Sequence, residues 1–414
     1  MNKVQILDKQ LLENKCIRKM ATTRSNRRIR AAIMKNIVLI LMIVGVQTLM
    51  GQENKDKDPF TFGNGTTRIK LGGYVQALAA FDFNGSIANH DFIVSTMPIP
   101  KNWEQRQRFA VDATSTRLNL EVTHNTESIG DIKFFIETDF RGAANVLRLR
   151  HAYISLLGII AGQTWTFMYD PDAMAPIIDQ QGVNARAFFR TPLIGYTYKS
   201  KKGISAGISV EFPAAKITTA KNIASATQTI PDIPVFFQYK AAKGHIKLAG
   251  VFRNITYGDT AQKKIKITQG WGIQLSGSVK PASFLTLCAQ GIYGQGAARY
   301  INDMAALSLD LLPDYTNPGR VNAPNMFSAS IGLRVDIIKK IYITSNFGIA
   351  QLEKNTKYVK GSDFRHSQYF SASLFWKIYN NFLFAAEYLY GYRLNMNADF
   401  GNANRIQTMI RYNF

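Results

Sequence analysis

The most distinctive chemistry in the sequence is a group of arginines followed by a short acidic stretch: Arg106, Arg108, Arg117, Arg148, Arg150, Arg186 and Arg190, with Asp170, Asp172 and Asp179 among them. A guanidinium stays charged and offers a planar fork of donors, which suits transient contacts with carboxylates and phosphates. Arg148 and Arg150 stand two apart, so on an extended strand they point to one face while Leu147, Leu149 and Tyr153 point to the other. The aspartates lie between Phe167 and Gly182, in FMYDPDAMAPIIDQQG, whose length and mixed apolar and acidic content suggest a loop packed against something. Folded opposite the arginines, that loop would narrow a passage whose low-dielectric walls strengthen local fields. Two plainer readings stand beside this one. The stretch could be an ordinary external loop, and the arginines could pair with Glu121, Glu137 and Asp139 and only stabilise a wall.

Other chemistries find little support. The histidines His90, His124, His151, His245 and His366 have no short metal-ligand spacing, so no zinc site is expected. Gly294-Gln295-Gly296 lacks the third glycine of a nucleotide-binding fingerprint and sits at a strand end, where it reads as a turn. No cofactor is implied. Cys16 and Cys288 are the only cysteines, so neither a disulfide framework nor a cysteine metal cluster is expected. An enzyme would need a nucleophile, a base and an orienting group, and no serine–histidine constellation is recognisable. The chain carries 50 bases against 28 acids, yet the positive charges are dispersed and no nucleic-acid motif accompanies them.

These residues sit on a period-two pattern, which places alternate side chains on opposite faces of a strand. Ile406, Thr408, Ile410, Tyr412 and Phe414 form one face of the last segment, and Arg405, Gln407, Arg411 and Asn413 the other. Phe382, Phe384, Tyr388, Tyr390 and Tyr392 oppose Glu387 and Arg393, and Phe370, Leu374, Trp376 and Ile378 oppose Ser371, Ser373 and Lys377. Sixteen such segments are expected near 68–83, 108–124, 130–140, 146–156, 159–166, 187–199, 203–212, 233–241, 245–256, 266–279, 283–295, 323–336, 341–353, 366–377, 382–394 and 403–414. Their connections alternate between tight turns, such as Ser200-Lys201-Lys202 and Ala242-Lys243-Gly244, and long polar stretches near 84–107, 213–232, 296–322 and 354–365. An all-β transmembrane antiparallel barrel with short periplasmic turns fits this alternation, and about sixteen strands leave a water-filled lumen. A propeller would show a repeat of roughly 40 residues, which is absent.

Ahead of the barrel, Ile37 to Val46 is an unbroken apolar run that follows a basic stretch and precedes Gly51, the pattern of a secretory signal peptide. A run of about ten residues is too short to span a bilayer. The expected organisation is a possible upstream extension with a non-native start (1–33), a signal peptide (34–51), a short periplasmic segment (52–67) and the barrel (68–414). Residues 1–51 hold ten bases and two acids, so their removal leaves 40 bases and 26 acids.

Lys70-Leu71-Gly72-Gly73-Tyr74-Val75, Arg117-Leu118-Asn119, Ile136-Glu137-Thr138-Asp139-Phe140, Arg148-Leu149-Arg150-His151-Ala152-Tyr153 and Gly162-Gln163-Thr164-Trp165-Thr166 resemble the DcaP-like family of outer-membrane porins. The likeness covers most of residues 68–200, and the remainder agrees as a generic porin barrel. It implies a homotrimeric outer-membrane porin of a Gram-negative bacterium, with a basic eyelet favouring small anionic solutes such as dicarboxylates and the loop after GQTWT narrowing the pore. Some members carry a helical N-terminal extension, and residues 52–67 are too short for one. Expected partners are outer-membrane lipid and lipopolysaccharide, the permeating anions, sister subunits, and the barrel assembly machinery through terminal Phe414, whereas nucleic acid is not expected. An adhesive or structural barrel and a lipid-acting barrel enzyme are the alternatives.

Overall fold

A computed structural model describes residues 60–414 apart from 64, 86, 88, 89, 101 and 102. The expected upstream extension, signal peptide and most of the short segment after it lie outside the described residues. Sixteen strands form one antiparallel barrel. In chain order they are β1 (Thr67–Phe83), β2 in two pieces (Arg108–Asp112 and Arg117–Thr126), β3 (Gly130–Asp139), β4 (Arg148–Leu156), β5 (Ile159–Trp165), β6 (Arg190–Lys199), β7 (Ile204–Glu211) and β8 (Ile233–Ala241). The second half comprises β9 (Gly244–Asp259), β10 (Lys264–Ala282), β11 (Leu285–Gln295), β12 (Asn325–Ile338), β13 (Ile341–Leu352), β14 (Phe364–Lys377), β15 (Phe382–Asn395) and β16 (Phe400–Asn413). Each strand pairs with its sequence neighbours, and β1 closes the ring on β16 from Tyr74 opposite Asn413 to Phe83 opposite Asn404. Closure leaves no unpaired edge for lipid to solvate.

Alternation decides which face each strand shows. Along β10, Ile265, Ile267, Trp271, Ile273, Leu275 and Val279 are exposed on the outside, while Gln274 and Ser276 are buried inside. An outward arginine at the bilayer midplane would cost roughly 2–4 kcal/mol, so the charged positions are held to the lumen or the rims. Parity breaks once where it matters for the site. In β4, Arg148 pairs with Asp139 and Leu149 with Thr138, but His151 already pairs with Glu137, so Arg150 is an extra residue in a β-bulge. The bulge inverts the parity beyond it. Tyr153 therefore faces inward, its ring 5.5 Å from that of Phe135, and not outward with Leu147 and Leu149 as strict alternation predicts.

One end of the barrel carries only tight turns, and the other carries all the long loops together with the four-residue turns 260–263 and 396–399. Several connections pack inward, chiefly 84–107, 166–189 and 296–324, with Ile217 and Ile223 of 212–232 buried against Ile255 and Tyr257. Their apolar side chains make the core. Ile87, Phe92, Val94 and Met97 pack with Val183 and Ala185 against Tyr369, Leu389 and Ala403 of the wall, and Met168 and Ala187 join Tyr300, Ile301 and Met304 against Ala249, Val251 and Ile292. Wall glycines make room for this. A Cβ on Gly348 would lie 2.4 Å from Val183 and Asn184, and one on Gly332 would lie 2.9 Å from the Ala175 amide.

Candidate functional site

The loop between β5 and β6 is a strap along the inner wall, and its backbone finds partners on strand after strand. The Phe167 amide donates to Glu211 (2.8 Å) on β7, and the Met168 and Tyr169 carbonyls accept from Gln274 (2.8 Å) on β10 and Lys247 (2.6 Å) on β9. Farther on, the Ala175 amide donates to Asn346 (3.2 Å), the Pro176 carbonyl accepts from Thr344 (2.8 Å), and the Ala185 carbonyl accepts from Ser328 (2.7 Å). The amides of Ile178 and Asp179 both donate to Glu387 on β15, each at 3.0 Å. A buried backbone needs such partners, and polar residues on the inner faces of β7 to β15 supply them.

This arrangement fixes the three aspartates. Asp170 accepts from Ser276 (2.7 Å) and contacts His245 Nε2 (2.8 Å), so its carboxylate points into the wall. Asp179 accepts from the Phe92 amide (3.2 Å) and the Tyr369 hydroxyl (3.1 Å), which ties the strap to loop 84–107 and to β14. Burial, and then the charge of Asp91, push the Asp179 carboxyl up to about 6. Neither aspartate borders the passage as expected, because each is 6% exposed or less and spends its acceptors on the wall. Asp172 is exposed, 3.5 Å from Lys240. Ser278 Oγ lies 3.0 Å from His245 Nδ1, so the fold brings together a serine, a histidine and an aspartate that are far apart in sequence. The His245 side chain is 2% exposed and clamps the strap, leaving no room for a reacting substrate.

The arginines gather on the wall formed by β2 to β6. Arg148 makes a bidentate pair with Asp139 (2.9 and 2.6 Å), and Arg150 bridges Glu137 (2.6 Å) and Asp139 (3.0 Å). Arg117 reaches across to Gln180 of the strap (3.0 Å) and stands 3.8 Å from Glu137. Arg190 lies over the Trp165 ring, 4.7 Å from its centre, with no carboxylate paired to it among the described residues and with Nη1 buried and unbonded. Four guanidiniums thus face two carboxylates, and the charges of Arg148, Arg150 and Arg117 all act on Arg190. The remaining arginines have other tasks. Arg186 is buried on the strap, 3.5 Å over Phe188 and bonded to the Gln181 carbonyl (3.1 Å). Arg108 donates to the Ile87 carbonyl (2.9 Å) and holds loop 84–107, and Arg106 is exposed.

Two further groups stand at the site. Arg411 on β16 donates to Gln76 (2.6 Å) and lies 4.2 Å over Tyr74. Its inward parity is readable in the last strand, but its place beside Arg117 requires the closing β1–β16 seam. The second is a run of rings, Tyr153, Phe135, His151, Trp165 and then Tyr169 and Phe188, each 4.4 to 6.1 Å from the next. Among the described residues no cluster could hold a metal ion.

Comparison with known proteins agrees with the barrel fold. The family model described as "Porin subfamily" matches residues 62–412. The outer membrane channel DcaP of Acinetobacter baumannii superposes with a TM-score of 0.73 at 19% identity, covering 85% of this chain and 99% of that one. An anion-selective porin from Comamonas acidovorans gives 0.57 at 12% identity over 84% and 100%. The trimer form of OmpT, an outer membrane protein of Vibrio cholerae, gives 0.53 at 11% over 84% and 100%. No curated protein sequence matches the chain.

Proposed function

Because the chain belongs to the porin subfamily and forms a channel in the Gram-negative outer membrane, we propose that it admits small hydrophilic solutes by diffusion and favours anions, dicarboxylates among them. The observation that carries this reading is the imbalance on β2 to β6. Arg117, Arg148, Arg150 and Arg190 stand against Glu137 and Asp139 alone, while the carboxylates of Asp170 and Asp179 are turned into the wall. A pair such as Arg148 with Asp139 fixes its side chains but cancels its own field, so selectivity falls to the surplus, with Arg190 the least compensated. A carboxylate passing this face would exchange its hydration for fork-shaped donors, and the rings of Trp165 and Phe188 offer a flat surface beside them.

The same reading has the barrel working as a homotrimer, exported by residues 34–51 and inserted by the assembly machinery through Phe414. Gly73, Ala77 and Ala79 on the outer face of β1 support the trimer, since small residues permit close approach within lipid. Reversal potential of the purified protein in a planar bilayer under a potassium chloride gradient tests the selectivity. The sign should indicate anion preference, and succinate should carry current; a cation-preferring sign would overturn the proposal.

A further inference from the structure

The rim bearing the shortest turns has its turn lysines on one arc only. Lys201 and Lys202 follow β6, Lys243 follows β8, Lys280 lies at the end of β10, Lys339 and Lys340 join β12 to β13, and Lys377 ends β14. Backbone bonds bring these turns side by side: the Lys280 amide donates to the Lys243 carbonyl (2.6 Å) and the Lys377 amide to the Lys340 carbonyl (2.8 Å). No carboxylate pairs with Lys243, Lys280, Lys339 or Lys340 among the described residues. The turns between β2 and β3 and between β4 and β5 carry no lysine; they read Glu127-Ser128-Ile129 and Leu157-Gly158.

Next to that arc the lipid-facing wall is hollow. A groove of about 980 Å³ crosses β9 to β14, with Gly277 and Ala289 as its floor and Leu275, Leu287, Ile331 and Phe347 as its sides. The register places Gly277 opposite Ala289, Ala289 opposite Ile331, and Ile331 opposite Phe347, so the hollow is one row of the sheet in which two side chains are missing or short. A second hollow of about 520 Å³ shares Leu333 and Ser345 with the first and continues to Leu374 and Ile406. Lys280 stands three residues beyond Gly277 on the same strand, roughly 10 Å along it.

From the adjoining hollows and the unpaired lysines we infer a specific site for a phospholipid with an anionic headgroup, drawn from the inner leaflet. Its acyl chains lie in the two hollows, and its phosphate meets Lys243, Lys280, Lys339 and Lys340. Bulk lipid covers any smooth apolar wall; here the small residues let chains sink into the sheet, and the lysine cluster at their end selects charge. A second copy of the chain is a poorer occupant, because nothing in the lysine arc is self-complementary.

The test uses the purified full chain in neutral detergent, with native mass spectrometry after addition of phosphatidylglycerol or phosphatidylcholine. Wild type should retain phosphatidylglycerol at least tenfold better. Lys280→Ser with Lys339→Ser and Lys340→Ser should abolish that preference, and Ala289→Trp should displace both lipids, whereas Lys201→Ser with Lys202→Ser, on a more distant turn, should change neither. Equal retention of the two lipids by wild type, or unchanged preference in the triple variant, overturns the site. Conversion of oligomer to monomer by Ala289→Trp with lipid retention intact would show that the hollow seats a second copy and would overturn it too. Wild-type conductance of each variant confirms that the barrel is folded.

Discussion

Replacing Arg190 by glutamine should weaken anion preference at small cost to the barrel, and replacing Arg150 should weaken both substantially. Each substitution removes one positive charge from the same wall. Arg190 has no carboxylate partner among the described residues, so its loss leaves no acid exposed to imbalance and forfeits a cation–ring contact of about 0.5–2 kcal/mol. Arg150 is 5% exposed and holds Glu137 and Asp139 together. Breaking such a pair costs up to ~3–5 kcal/mol, lessened here because Arg148 stays on Asp139 and Arg117 near Glu137. For selectivity, a unit charge ~5 Å from a monovalent solute is worth about 0.8 kcal/mol at the dielectric of water, roughly a fourfold change in relative permeability. Screening reduces this to about threefold at 0.01 M salt and to less than about 1.5-fold at 1 M, where the Debye length is ~3 Å. Reversal potentials measured at both salt concentrations read the effect directly, and thermal unfolding of the detergent-solubilised barrel reads the stability difference. An Arg190→Gln channel with wild-type selectivity at 0.01 M would refute the assignment of the surplus charge. A shift that persisted undiminished at 1 M would refute its electrostatic origin.

Replacing Lys201 and Lys202 by serine should leave the reversal potential within error of wild type, since those turn lysines lie outside the narrow passage and are screened over ~8 Å at physiological salt. Deleting Phe414 should lower the amount of inserted protein without changing single-channel conductance; the residue exchanges two backbone bonds with Gly73 (3.1 and 3.2 Å) at the closing seam, and normal insertion would count against the assembly role. Native mass spectrometry in mild detergent should find trimers, and monomers alone at every concentration would end that proposal. The raised Asp179 carboxyl means that the folded state holds its proton more tightly than the unfolded chain. Its contribution is therefore fully present below about pH 4, the ordinary carboxylate range, and lost as pH rises to about 6. Asp179→Asn should flatten the pH dependence of Tm over that window and raise Tm at pH 7.5.

The barrel is readable from sequence because lipid and water impose opposite demands on alternate residues, and no tertiary detail can relax them. The pattern places the last strand at 403–414, and it runs from Phe400 to Asn413; it places the fifth at 159–166, and it runs from Ile159 to Trp165. The bulge at Arg150 is different in kind. Nothing in Arg148-Leu149-Arg150-His151 marks an inserted residue, and only the pairing of both Arg148 and Arg150 with the carboxylates of β3 explains why the strand yields there.

The loop acids show the limit most clearly. An aspartate in a loop looks the same in sequence whether it borders a passage or anchors the loop, and so the sequence pattern places Asp170 and Asp179 with the eyelet. What separates the two roles is the supply of donors. His245 and Ser276 wait for Asp170 on strands 75 and 106 residues later, and the Phe92 amide and Tyr369 close on Asp179 from 87 residues before it and 190 after it. Once those donors are in place, the carboxylates serve the strap, and their removal from the lumen raises the weight of every unpaired guanidinium across it. The selectivity expected of Arg190 is in this sense a product of loop packing: a strap that released Asp179 toward the arginines would bring negative charge back to the passage, and anion preference should fall even with every arginine intact.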